Sequence, residues 1–186
     1  MVTSYPPLIR ALLAPGCYSH PVRRVSVLET HISWVLLAGR YAYKIKKPVN
    51  LGFLDFSKLE QRGNFCREEI RLNRRLAPQI YLEVSPIGGS LDFPRLDTMP
   101  ALEYAVKMRR FAADKLLDNL LLHDRLEPRH IDQLATTIAA FHQELPAAAP
   151  DSEYGSPQAI QIPARQNFQQ LVPVLDAPGQ KILQDL

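Results

Sequence analysis

A helical pattern that carries one carboxylate among its apolar positions follows a strand that puts two lysines on one face. No other combination in this chain restricts its fold as tightly. Phe65, Glu69, Leu72 and Leu76 recur at spacings of four, three and four, which reads as one stripe of a helix over about 58–76. Glu69 then falls in the middle of an apolar face, where an unpaired carboxylate costs on the order of several kcal/mol. Upstream, Tyr41-Ala42-Tyr43-Lys44-Ile45-Lys46 alternates, so Lys44 and Lys46 share a face. The helix is therefore expected to lie across the sheet face that carries those lysines.

Phasing selects among the candidates. Alternation places Ala42 on the same face as Lys44, leaving room for a flat ring two residues before the lysine, whereas Lys46 has Lys44 before it. Glu68 is turned about 100° from the stripe that holds Glu69. Lys44 and Glu69 thus suggest a clamp for nucleotide phosphates. From spacing alone a second reading stays open: Lys-Ile-Lys-Lys also describes a charged edge strand that resists aggregation, with Glu68 and Glu69 as solvated helix charges.

Strands are expected near 25–29, 33–38, 41–47, 82–87 and 102–108, forming an antiparallel sheet with the 58–76 helix across one face. Further helices are expected near 114–122 and 130–143. The opening Leu8 to Cys17 reads as a small amphipathic helix stopped by Pro15-Gly16, because Arg10 interrupts a run too short for an export signal.

Composition removes several function classes. At 186 residues, with 46% hydrophobic and 22% charged content, the chain is long enough for one good core. No stretch approaches the ~20 apolar residues of a membrane span. The net charge of +3 is weak, and its lysines and arginines are scattered over differently oriented elements without aromatic interleaving beyond Tyr41 and Tyr43, so nucleic acid is not an expected partner. Cys17 and Cys66 are the two cysteines and stand far apart, which fits a reducing, cytoplasmic setting rather than a disulfide framework. The five histidines show no metal-ligand spacing. Sixteen prolines are many, and several lie between Pro146 and Pro178 in a stretch rich in Ser, Gly and Gln that is expected to pack poorly.

Four segments carry a resemblance: Glu29-Thr30-His31-Ile32-Ser33-Trp34-Val35-Leu36-Leu37, Tyr41 to Val49, Gly52-Phe53-Leu54-Asp55-Phe56-Ser57, and Leu72-Asn73-Arg74-Arg75-Leu76-Ala77-Pro78. Through them the chain resembles the amino-terminal part of bacterial aminoglycoside-phosphotransferase-like proteins, in the protein-kinase-like superfamily. Many of that branch carry an additional ATP-binding domain at the carboxyl end. The likeness runs from about residue 25 to 112 and more loosely to about 170.

The resemblance implies an α+β kinase-like amino-terminal lobe over residues 1–107, then a hinge and the first helices of an incomplete carboxyl-terminal lobe over 108–186. It implies ATP as the nucleotide, an unspecified small molecule as phosphate acceptor, and magnesium only in a complete enzyme. Lys44 resembles the strand lysine that meets the alpha and beta phosphates, and Glu69 the helix glutamate that orients it. Thr30-His31-Ile32-Ser33 looks like the loop over the phosphates, with hydroxyls at Thr30 and Ser33. It lacks the glycines of protein kinases, and each hydroxyl also reads as an ordinary hairpin-turn bond. Glu103 to Phe111 resembles the strand entering the hinge, where backbone around Lys107, Met108 and Arg109 would bond the adenine edge.

The family's His-Gly-Asp type motif and later magnesium-holding aspartate are absent from this sequence. His130-Ile131-Asp132 is the nearest decoy, but Thr137 stands where an asparagine should, and the segment opens a helix whose apolar stripe is Leu134, Ile138 and Phe141. His123-Asp124 reads as the polar end of the preceding helix. The expectation is therefore a truncated, catalytically incomplete chain. The alternative is a non-catalytic interaction or regulatory module built on the same lobe.

Overall fold

The computed structural model describes residues 5–184 and divides the chain into two compact units, one ending at Pro128 and one beginning at Arg129. In the first unit, α1 (Pro7–Ala11) precedes β1 (Val25–Glu29), β2 (Ser33–Ala38) and β3 (Tyr41–Lys46). Next come α2 (Leu59–Asn73), β4 (Tyr81–Gly89), β5 (Pro94–Leu96), β6 (Glu103–Arg109) and α3 (Leu117–Leu122). The six strands form one sheet in the order β1-β2-β3-β6-β4-β5, and every pairing is antiparallel. The protein is α+β, with β6 threaded between β3 and β4.

Alternation along the strands gives the sheet two different faces. One carries Trp34, Leu36, Tyr43 and Ile45, covered by Ile9 and Leu12 from the amino-terminal segment. Pro7 starts α1 where its missing N–H costs nothing, and the Tyr18 hydroxyl donates to the Leu12 carbonyl at 2.8 Å, tying the segment back on itself. Each of these large side chains contributes about 1.5–3 kcal/mol through burial.

The other face receives α2. Cys66 and Ile70 pack on Val106, flanked by Tyr81, Val84, Tyr104 and Met108. Gly63 lets the helix sit low, since a Cβ there would lie 2.9 Å from the Tyr104 ring. Between β2 and β3, Gly39 has φ +56 and its Cβ position is 2.7 Å from the Pro21 carbonyl oxygen, so only glycine closes this hairpin without strain.

The structure corrects the stripe read from the sequence. Phe65, Leu72 and Leu76 are 39%, 46% and 50% exposed, and the buried positions of α2 are Arg62, Gly63, Cys66 and Ile70. Gly63 and Cys66 let the helix approach closely and Ile70 fills the contact, while Phe65 lies at the flank, where its ring meets Phe56 edge-on at 4.9 Å. The helix also ends at Asn73 rather than 76, as the Asn73 amide bonds the Glu69 carbonyl and the chain turns. β5 lies outside the expected strands; its three residues are too few for an alternating pattern.

In the second unit, which holds α4 (Pro128–Glu144), α5 (Pro157–Leu171) and α6 (Ala177–Gln184), large apolar residues are exposed, among them Ile131, Leu134 and Ile138 of α4 and Ile160 and Phe168 of α5. Thr137 lies within α4 with its hydroxyl donating to the Gln133 carbonyl at 2.8 Å, and Asp132 is in the first turns of the same helix. Among the described residues no helix is long and apolar enough to cross a membrane.

Candidate functional site

Ala42, Lys44 and Lys46 alternate on the α2 side of β3, opposite Met108 and Val106 of β6 and Val35 and Ser33 of β2. Below them Cys66 and Ile70 fill the interface, so Glu69, one position before Ile70, projects along the edge of the contact towards the lysines. Its two oxygens are divided. Lys44 Nζ donates to Oε1 at 2.8 Å and Lys46 Nζ to Oε2 at 2.7 Å. The side chains differ in exposure: 29% for Lys44, 6% for Lys46 and 12% for Glu69.

Two ammonium groups on one carboxylate leave a local excess of one positive charge. Burial by itself would raise the Glu69 pKa, but the hydrogen bonds and charges of Lys44 and Lys46 outweigh it and hold the carboxyl below its ordinary value. Burial pushes the Cys66 thiol up to about 12, with Glu69 and Glu103 adding to the rise and the lysines opposing it. That thiol is a packing group, not a nucleophile. Tyr81, raised first by burial and then by Glu69, completes the surroundings of the pair.

The remaining sequence candidates fall in different places. Thr30 is consumed by its own turn: its hydroxyl accepts from the Ser33 N–H at 3.0 Å and donates to the Ser33 carbonyl at 3.2 Å. Ser33 is fully buried at the position paired with Lys46, and its hydroxyl has no hydrogen-bond partner among the described residues. The phosphate-loop reading of this turn therefore loses Thr30's hydroxyl to local geometry.

Lys107, Met108 and Arg109 lie in the sheet between β3 and β4, so they do not form a free hinge. Lys107 points to the face opposite Lys44, where it donates to Glu83 at 2.7 Å and covers the Tyr41 ring. Met108 faces α2 beside Ala42 and Tyr81. The Arg109 N–H donates to the Ile80 carbonyl at 2.8 Å. The chain leaves the sheet only after Arg110, whose N–H bonds the Arg40 carbonyl at 3.0 Å. A central strand uses its backbone on both sides, which a sequence reading of an edge-like strand end does not reveal. Just beyond, an open hollow of about 700 Å³ is lined by Ile80, Phe111, Lys115, Leu116, Leu117 and Asp118.

Two contributors escaped the sequence reading. Phasing favours Lys44 over Lys46, yet the two share a face and Lys46 also binds Glu69. Arg62 sits on α2 with its guanidinium bonded to Glu103 at 2.8–3.0 Å and to the carbonyls of Phe56 and Ser57 at 2.8 and 3.0 Å. That fork pins the loop carrying Phe56, whose ring lies 4.9 Å from Lys46 Nζ.

The fold and site define an α+β domain whose central lysines share a helix carboxylate. No family model matches the chain, and no solved structure matches it. It is 37% identical over 134 residues to uncharacterized proteins of Mycobacterium bovis and Mycobacterium tuberculosis, a match covering 68% of this chain and 25% of each relative. The chain thus spans about a quarter of the length of the curated relatives it matches.

Proposed function

We propose that this chain is the ATP-binding lobe of an aminoglycoside-phosphotransferase-like small-molecule kinase. The observation that carries the reading is the Lys44–Glu69 contact at 2.8 Å, with Lys44 the more exposed of two lysines in a cluster of net positive charge. A lysine is a compact point charge suited to phosphate oxygens, and the adjacent carboxylate limits where it can point. Ala42, one alternation before Lys44, leaves the face low where a planar base would lie, beside Met108 and Tyr81. Free thiols at Cys17 and Cys66 accord with work in a reducing cytoplasm.

Within these residues the proposal is nucleotide binding. Phosphoryl transfer needs a proton acceptor and carboxylates that hold magnesium, which the resemblance assigns to a His-Gly-Asp type motif lacking here. Among the side chains in hand, Lys44 would meet the alpha and beta phosphates, and Glu69 would hold it in place until the nucleotide arrives.

The test is the thermal unfolding of the whole chain with and without ATP. Ligand at 100 times its Kd stabilises by about 2.7 kcal/mol, so binding raises the midpoint in a concentration-dependent way. Lys44→Met should abolish the shift while leaving the unliganded midpoint close to its starting value, because Lys46 still neutralises Glu69. An equal shift in the variant would refute the assignment, and no shift in the parent chain would favour an interaction module without a nucleotide.

A further inference from the structure

We infer that Lys46 is a positioning residue that holds Glu69 permanently, leaving Lys44 as the lysine that exchanges between Glu69 and an anionic ligand. The identity of that ligand rests on the nucleotide reading; the division of labour between the lysines does not.

The two lysines take separate oxygens of one carboxylate, Oε2 at 2.7 Å and Oε1 at 2.8 Å. Either can leave without disturbing the other's hydrogen bond. Their surroundings decide which one does. Lys46 is 6% exposed, and its ammonium lies 4.9 Å from the centre of the Phe56 ring, a contact that favours a cation in place. That wall is itself fixed: the Phe56 carbonyl accepts from Arg62, its N–H donates to the Val49 carbonyl at 2.8 Å, and its ring abuts Phe65. Released from Glu69, Lys46 would be an unpaired charge in a dry site.

Lys44 is 29% exposed and can reach solvent or a ligand at far lower cost. When it moves, Glu69 keeps Lys46 and is never stranded as a buried anion. With a single lysine, each engagement of a ligand would uncover the carboxylate and oppose binding. The second lysine removes that opposition, so Lys46 raises the availability of Lys44 without touching the ligand.

The experiment is site-resolved lysine acetylation of the folded 186-residue chain by a small amine-reactive ester, quantified by mass spectrometry, with and without magnesium-ATP. In the parent chain Lys44 should label several-fold faster than Lys46. In Lys46→Met, Glu69 can give both oxygens to Lys44, and Lys44 labelling should slow several-fold; Lys46→Arg should restore it, which a loss of packing alone would not explain. Unchanged Lys44 labelling in a folded Lys46→Met variant overturns the inference. Should that variant fail to fold, the parent chain decides, because Lys46 labelling as fast as Lys44 overturns the inference equally. Slowing in Lys46→Met with no protection of Lys44 by magnesium-ATP upholds the anchor and sinks the nucleotide reading. Protection by magnesium-ATP without slowing does the reverse.

Discussion

Gly63 and Tyr104 set the height of α2 above the sheet: the glycine lies so close to the tyrosine ring that a Cβ would meet its carbons at 2.9 Å. Glu69 is six residues further along the same helix, so its reach to the β3 lysines depends on this approach. Gly63→Ala trades a helix-propensity gain of about 1 kcal/mol against overpacking of about 1–3 kcal/mol. The expected result is a net loss in urea unfolding. Gly63→Ala with Tyr104→Leu should recover much of it, and a more stable single variant would contradict the packing.

Glu69 and Glu68 are neighbours with opposite environments, since Glu68 is exposed and pairs with Arg71. Glu69→Ala strands Lys46 in a buried site and should cost about 3 kcal/mol. Glu68→Ala should leave the midpoint unchanged. Equal midpoints for the two variants, measured by urea unfolding followed by circular dichroism, would remove Glu69 from its place in the core edge.

The Glu69 carboxyl is held below its ordinary value, so its charge stabilises the fold above the unfolded-chain value and the contribution fades as pH falls through the lower, folded value. The gap in stability between the parent chain and Glu69→Gln should be full at neutral pH and begin to close only below the ordinary glutamate value of 4.5. Unfolding midpoints collected from pH 7 downward would show it. A gap that stays constant into strong acid would mean that packing, not charge, separates the two proteins.

Arg62 and Glu103 are both nearly buried, and Arg62 also ties down the carbonyls of Phe56 and Ser57. Arg62→Ala leaves Glu103 as an uncompensated buried charge and should cost about 3–5 kcal/mol. Hydrogen exchange at the Phe56 amide should accelerate with it, because the loop loses its anchor. Normal protection at Phe56 in a folded variant would show that the backbone bond to Val49 suffices alone.

Residues 146–156 connect α4 and α5 and are exposed along nearly their whole length. Limited proteolysis should cut there first and leave a fragment ending near residue 145. Initial cleavage within β1 to β3 would contradict the division of the chain into its two units.

Much was legible in the sequence because it depends on local periodicity. Alternation from Tyr41 to Lys46 sets both lysines on one face whatever the neighbours, and the bounds of β1 and β2 agree with the structure for the same reason. Spacing points to the meeting of Lys44 with Glu69, but through a stripe whose apolar members are exposed. The apolar period of Phe65, Leu72 and Leu76 is real; it does not mark the contact face, because the close approach at Gly63 turns Cys66 and Ile70 onto the sheet instead.

What only the tertiary structure decided was which partners compete for each group. Glu69 is shared by two lysines, and Lys46 is the more deeply held because Phe56 returns over it from a loop pinned by Arg62. Lys107 to Arg109 lie inside the sheet because β4 pairs on the far side of β6, a non-local contact that leaves no trace in the segment itself. Local spacing determines the face on which a side chain stands; burial and pairing are set by segments distant in sequence, and those determine what the side chain can do.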